Sequence, residues 1–165
     1  MAKNTIRLKN YLNIFEEMEA SADIYPGMLL EVQTTGKVRA HNTADNPVGP
    51  AIALEDELQG KGIDEKYVDG DKVQVWYPQV GDQAYMILKD GQDIAIGAVL
   101  QSNGDGTLKA AGTGTGCFQA LEAVDLSDSS GAEDSGPLGY DKRIKVRVIR
   151  GYTTERKVIT NDSQY

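Results

Sequence analysis

At 165 residues, with 18 glycines and one cysteine, the chain is long enough to bury a single core without an internal disulfide framework. Its 17 basic and 25 acidic residues give a formal net charge of −8, which argues against wrapping nucleic acid and favours solubility. No apolar run approaches the ~20 residues of a membrane span, and the opening Met1-Ala-Lys-Asn-Thr-Ile-Arg7 lacks the apolar stretch of a secretion signal. The expectation is a protein made in a cytoplasm, with neither membrane nor nucleic acid as partner.

Residues 1–14 are polar and basic, without strong periodicity, and read as an N-terminal arm that leaves a β domain over 15–151. Deleting residues 2–14 would then spare folding. Tyr11, Ile14, Phe15 and Met18 have helical spacing, but a strand over Phe15 to Ser21 is preferred. Met28 to Gln33 is the next strand, turning at Thr34-Thr-Gly-Lys37 into Val38 to His41. Pro50 to Leu54 is a short buried strand, and the acidic run Glu55 to Asp71 has room for one helical turn between its glycines.

The central stretch, 68–110, holds three strands bounded by glycine turns. In Lys72 to Tyr77, Val73, Val75 and Tyr77 share one face, with Lys72 and Gln74 on the other. Gln83 to Leu88 is apolar on both faces, as in a strand covered on two sides. Ile94 to Leu100 is expected to place Ile94, Ile96 and Leu100 together on one face. Thr107 to Ala111 returns from the turn Asn103-Gly-Asp-Gly106, and Gly112 to Gly116 reads as a flexible connection. Cys117 to Val124 is a strand with Phe118, Ala120 and Val124 to one side. An acidic loop spans 125–141. Arg143 to Val148 alternates, with Ile144, Val146 and Val148 inward and Arg143, Lys145 and Arg147 outward; a polar tail, 152–165, follows. The fold class is mainly β, a compact barrel-like domain with little helix.

Charge is segregated along the chain. Seven acidic residues fall between Glu55 and Asp71, and six between Glu122 and Asp141. Seven basic residues then crowd Lys142 to Lys157. Solvated faces account for most such runs, and complementary patches that bring copies into register are the sharper alternative.

Reactive residues are sparse. His41 is the sole histidine, and Cys117 sits in an apolar strand where cysteine behaves as a small hydrophobe. Glu55-Asp-Glu57 is more often a solvated turn than an acid/base pair or a cation site. Asn103-Gly-Asp-Gly-Thr107 has the start of a calcium loop without its closing acidic ligand, so a hairpin turn is favoured. Gly112-Thr-Gly-Thr-Gly116 lacks the pattern of a phosphate-binding loop. No catalytic residue, metal site or cofactor is expected.

The joint order of several segments resembles the head decoration, or capsid cement, proteins of tailed bacteriophages. The segments are Ile24-Tyr-Pro-Gly-Met28, Ala53-Leu-Glu-Asp56, Gly62-Ile-Asp64, Tyr67-Val-Asp-Gly-Asp71, Val80-Gly-Asp82, Ile94-Ala-Ile-Gly97, Leu100-Gln-Ser-Asn-Gly-Asp-Gly-Thr-Leu108 and Leu121-Glu-Ala-Val124. The resemblance covers about residues 15–150. It implies a β-tulip-type fold, no catalysis, and a structural virion protein on the capsid exterior. Such a protein would cement neighbouring major capsid protein subunits of the expanded head, commonly as a homotrimer, with a dimer as the other possibility. Capsid binding would fall to Lys3, Ile6, Arg7, Leu8 and Tyr11, and Arg143, Lys145 and Arg147 would meet acidic surface on an adjacent copy. The rivals are a receptor- or carbohydrate-binding β module of a virion, favoured if Trp76 and Tyr77 are exposed, and a β-rich metal-dependent hydrolase.

Overall fold

The computed structural model describes residues 4–10, 14–45, 49–112, 115–127 and 142–153. Lys3, Tyr11, the acidic loop over 128–141 and the tail from 154 onward lie outside the described residues.

In chain order the strands are β1 (Arg7–Lys9), β2 (Phe15–Glu19), β3 (Leu30–Val32), β4 (Val38–Ala40), β5 (Ile52–Ala53), β6 (Lys72–Trp76), β7 (Gln83–Leu88), β8 (Asp93–Ile94), β9 (Val99–Ser102), β10 (Leu108–Ala110), β11 (Thr115–Ala120), β12 (Val124–Asp125) and β13 (Lys142–Thr153). The described helix content is one 3-10 turn, Glu57–Gln59, inside the acidic run where a single turn was expected. The protein is mainly β.

Five strands close a barrel. β13 runs antiparallel to β7, from Lys142 opposite Leu88 to Arg147 opposite Gln83. The wall continues through β11, β9 and β10, and β10 closes it on β7 in parallel, with Leu108 opposite Leu88. Alternation puts Met86, Leu88, Leu100, Phe118, Ile144 and Val146 inside, each fully buried. Closure also removes the free edges that an open sheet of this size would expose.

A second layer covers part of the outer wall. β2, β6 and β5 form a three-stranded sheet, and β3 pairs with β4 as a hairpin. Val73 and Val75 of β6 join Ile87 of β7 in a second core cluster, while Trp76 and Ile52 turn to the barrel cluster. This explains why β7 is apolar on both faces: Met86 points into the barrel and Ile87 under the covering layer.

Two departures from the sequence expectations have local causes. The run from Ile94 to Leu100 is not one strand: Gly97 takes φ +86° in a turn between β8 and β9, a conformation that suits glycine. Ile96, expected to share a face with Ile94 and Leu100, is therefore left 71% exposed at the turn while those two are buried. The glycine run also has a packing role at its end, because β11 begins within it. A Cβ on Gly116 would lie 2.6 Å from the Leu100 carbonyl oxygen, so only glycine lets β11 approach β9 this closely.

The third departure concerns the N-terminus. Ile6 is fully buried in the barrel cluster, and its carbonyl accepts a 2.7 Å hydrogen bond from the Tyr85 amide. β1 then pairs antiparallel with β7, Arg7 opposite Ala84 and Lys9 opposite Gln83. Residues 6–9 thus belong to the β body. Period-two alternation over so short a segment is too weak a signal to show this from sequence.

Candidate functional site: a cationic barrel wall and an adjacent cavity

Cys117, Asp105 and His41 are absorbed into the fold. Cys117 is 9% exposed, and burial pushes its thiol up to about 12, so it stays protonated at neutral pH. Asp105 accepts hydrogen bonds from the Thr107 amide at 3.0 Å, from Asn103 at 3.1 Å and from Lys89 at 3.2 Å. Burial works to raise its pKa, but these donors and the Thr107 hydroxyl outweigh that and hold it below the usual carboxylate range. The carboxylate therefore points at its own turn and at Lys89, as a hairpin requires.

His41, Ser102 and Glu31 stand in line. His41 Nδ1 lies 2.6 Å from Ser102 Oγ, and His41 Nε2 lies 3.9 Å from a Glu31 oxygen. These are the elements of a nucleophilic triad, yet His41 and Ser102 are 4% and 2% exposed. The serine hydroxyl also accepts the Gly104 amide at 3.1 Å. Both side chains are buried, and the line clamps the β3–β4 hairpin to the β9–β10 turn.

That clamp has a pH signature. Burial lowers the His41 pKa from its ordinary 6.5, with Arg39 acting the same way and Glu31 opposing. The histidine is thus held neutral, and the unfolded chain binds the proton more tightly. Its contribution to stability is present above pH 6.5 and is lost as pH falls from there through the lower folded value. Urea unfolding at pH 7.5 and pH 5 is expected to show that loss, and His41→Asn to flatten it. An equal pH slope in both proteins would contradict the clamp.

The basic residues of β13 divide. Arg143, expected to face outward, is 7% exposed. Its guanidinium donates to Asp64 at 2.8 Å, to the Pro26 carbonyl at 3.0 Å and to the Ile63 carbonyl. The alternation was right about direction, away from the barrel interior, but the loops at 26 and 63–64 cover that part of the wall. Arg143 is an internal tie and is not available to a neighbouring copy.

Lys145 is half-buried and Arg147 is exposed on the open part of the wall. Arg147 lies opposite Gln83 on β7, and Gln83 lies opposite Lys9 on β1. Gln119 of β11 continues the same row on the far side of Arg147. Two strand spacings separate Lys9 and Arg147, or about 10 Å. Tyr85 and Lys145 form the adjacent row. None of Lys9, Lys145 and Arg147 has an ion-pair partner among the described residues. Glu122 lies against this strip, one of its oxygens accepting the Lys145 amide at 2.9 Å, but it forms no ion pair with the three cations among the described residues.

Of the other residues proposed for capsid contact, Ile6 is fully buried, so its side chain serves the core. Arg7 and Leu8 are half-buried on β1. Arg7 lies over the Phe15 ring at 5.1 Å. Beside it a cavity of about 270 Å³ opens between β1, the start of β2 and the 3-10 turn, lined by Arg7, Phe15, Leu54, Glu55, Glu57 and Leu58 among others. Glu55 is 6% exposed, and one of its oxygens accepts the Ile6 amide at 3.1 Å. Sequence reasoning missed both Lys9 and this cavity. The signal for the cavity is the isolated Leu58 in an acidic run, whereas the place of Lys9 depends on register across β1, β7 and β13, which is not written in any one segment.

Trp76 is fully buried and Tyr77 half-buried, so the pair forms no exposed aromatic platform. Among the described residues no cluster of three or more His, Cys, Asp or Glu side chains could hold a metal ion. No described helix is long and apolar enough to cross a membrane. Compared with protein-family models and with curated proteins, the chain matches none.

Proposed function

We propose that the protein is a structural component of a tailed-phage virion that binds the outer surface of the head. There it cements neighbouring major capsid protein subunits and stabilises the expanded shell. The proposal carries with it a non-catalytic role without cofactors, assembly in the host cytoplasm, and self-association into a homotrimer or dimer. The observation that carries it is the unpaired strip of Lys9, Lys145 and Arg147 on the wall of a closed barrel. The ordered resemblance of the strand and turn segments over 15–150 supports the same reading.

The physics suits a lattice. A barrel without free edges keeps its shape when docked, so little conformational entropy is lost on binding. Flat cationic faces contribute orientation and encounter rate more than raw affinity. Modest contacts suffice where several subunits are bridged at once, because the second contact forms at high effective concentration. The burial of Cys117, His41 and Ser102 is in keeping with a non-catalytic role.

Electron microscopy of expanded phage shells saturated with the protein tests the assignment. Density for the barrel on the shell exterior, with β13 and β1 facing capsid protein or an adjacent copy, is the expected outcome. Bare shells at saturating protein would refute it.

A further inference from the structure

The lining of the cavity beside β1 carries two carboxylates against one guanidinium, and its surroundings indicate what would fill it. Glu55 places a nearly buried carboxylate in its lining, and Glu57 adds an exposed one. Arg7, the cation of the lining, is stacked on Phe15 and forms no ion pair with either among the described residues. A carboxylate held this far from water gains from an incoming positive charge more than a surface one does. Leu54 and Leu58 provide apolar lining for an aliphatic stem, and Leu58, 83% exposed, is the most exposed large hydrophobic residue described.

The same cavity borders a strand edge. β2 is the outer strand of its sheet, with Phe15 lining the cavity and Glu16 and Glu17 exposed behind it. An edge with exposed backbone groups is a template for one more strand. Its acidic side chains select a basic one.

We propose that this cavity receives a lysine or arginine side chain from an extended segment of a partner polypeptide that pairs with β2 along the edge that no described strand occupies over residues 15–19. Arg7 in the same lining opposes any incoming cation, and a free polyamine brings nothing to offset that. A peptide backbone offers Arg7 carbonyl oxygens to bind. The inference goes beyond the shell assignment and holds whichever protein supplies the segment.

The test is titration of the ¹⁵N-labelled full chain, followed by NMR, with the blocked pentapeptide Thr-Val-Lys-Val-Thr. The controls are the same peptide with glutamate in place of lysine, and putrescine. Shift changes should be confined to Arg7, Phe15–Glu17, residues 54–58 and Gln74, and only the lysine peptide should produce them. Glu55→Gln keeps an acceptor for the Ile6 amide and removes the charge, so it should weaken binding roughly tenfold, equivalent to 1.4 kcal/mol. Glu57→Gln and Leu58→Ser change exposed positions, leave the fold intact and should each weaken binding severalfold. Equal binding of the glutamate peptide or of putrescine, shifts scattered over the surface, or unchanged affinity in all three variants would overturn the proposal. Shell binding is read separately by sedimentation, so failure here leaves that assignment standing on its own test.

Discussion

Arg143→Ala is expected to lower the free energy of unfolding by roughly 3 kcal/mol, mainly because it strands buried carbonyl groups. The Asp64 partner is 67% exposed and contributes little by itself, since water can replace the guanidinium there. The Pro26 and Ile63 carbonyls differ: both are tied to β13 by the same Nη2 group, and without it they lose their donor under the covering loops. Arg143→Lys should recover part of the loss, because a single ammonium cannot hold three acceptors in a fork. Arg147→Ala should stay within about 0.5 kcal/mol of the parent, as an exposed residue without an ion-pair partner among the described residues does. Urea unfolding midpoints for the three variants separate these outcomes. Equal, small effects at 143 and 147 would mean that Arg143 is not the tie described.

Removing residues 2–9 is the second large effect. It deletes Ile6 from the core, strips β1 from the edge of β7, and takes the amide donor from the buried Glu55 carboxylate. Loss of a fully buried isoleucine alone costs about 2–5 kcal/mol. Uncovering the β7 edge and leaving the Glu55 carboxylate without its donor adds to that, against a total stability on the order of 5–15 kcal/mol for a domain. The truncated chain should therefore melt well below the parent, and the Tyr85 amide, which donates to Ile6, should lose its protection from hydrogen exchange. A truncation with unchanged melting temperature would show that the segment is a dispensable arm after all. If the strand is part of the body, loss of shell binding on truncation says nothing about an arm, and point substitutions at Lys9 are the cleaner probe.

The strands and turns were legible in the sequence where one segment alone determines the outcome. Gln83–Leu88 showed two apolar faces because both of its faces are covered, and the turn at Gly36 followed from its local residues. Barrel closure was not legible, since Leu108 meets Leu88 in parallel across a register that no local pattern encodes. The same limit hid the true environment of Arg143. Its alternation with Ile144 and Val146 correctly pointed it away from the interior, but the covering loop comes from residues some 80 positions earlier. The site was legible only as a surplus of basic residues on β13. Lys9 joined it through pairing of β1 with β7, a contact between segments more than 70 residues apart.

The central claim is that this cationic wall grips a shell, and co-sedimentation with expanded phage heads tests it most directly. The parent protein should bind saturably and weaken as salt is raised. The triple variant Lys9→Glu, Lys145→Glu, Arg147→Glu should keep the parent's melting temperature and remain in the supernatant. Heads that leave the parent unbound, or that retain the reversed-charge variant as tightly as the parent, would contradict the account.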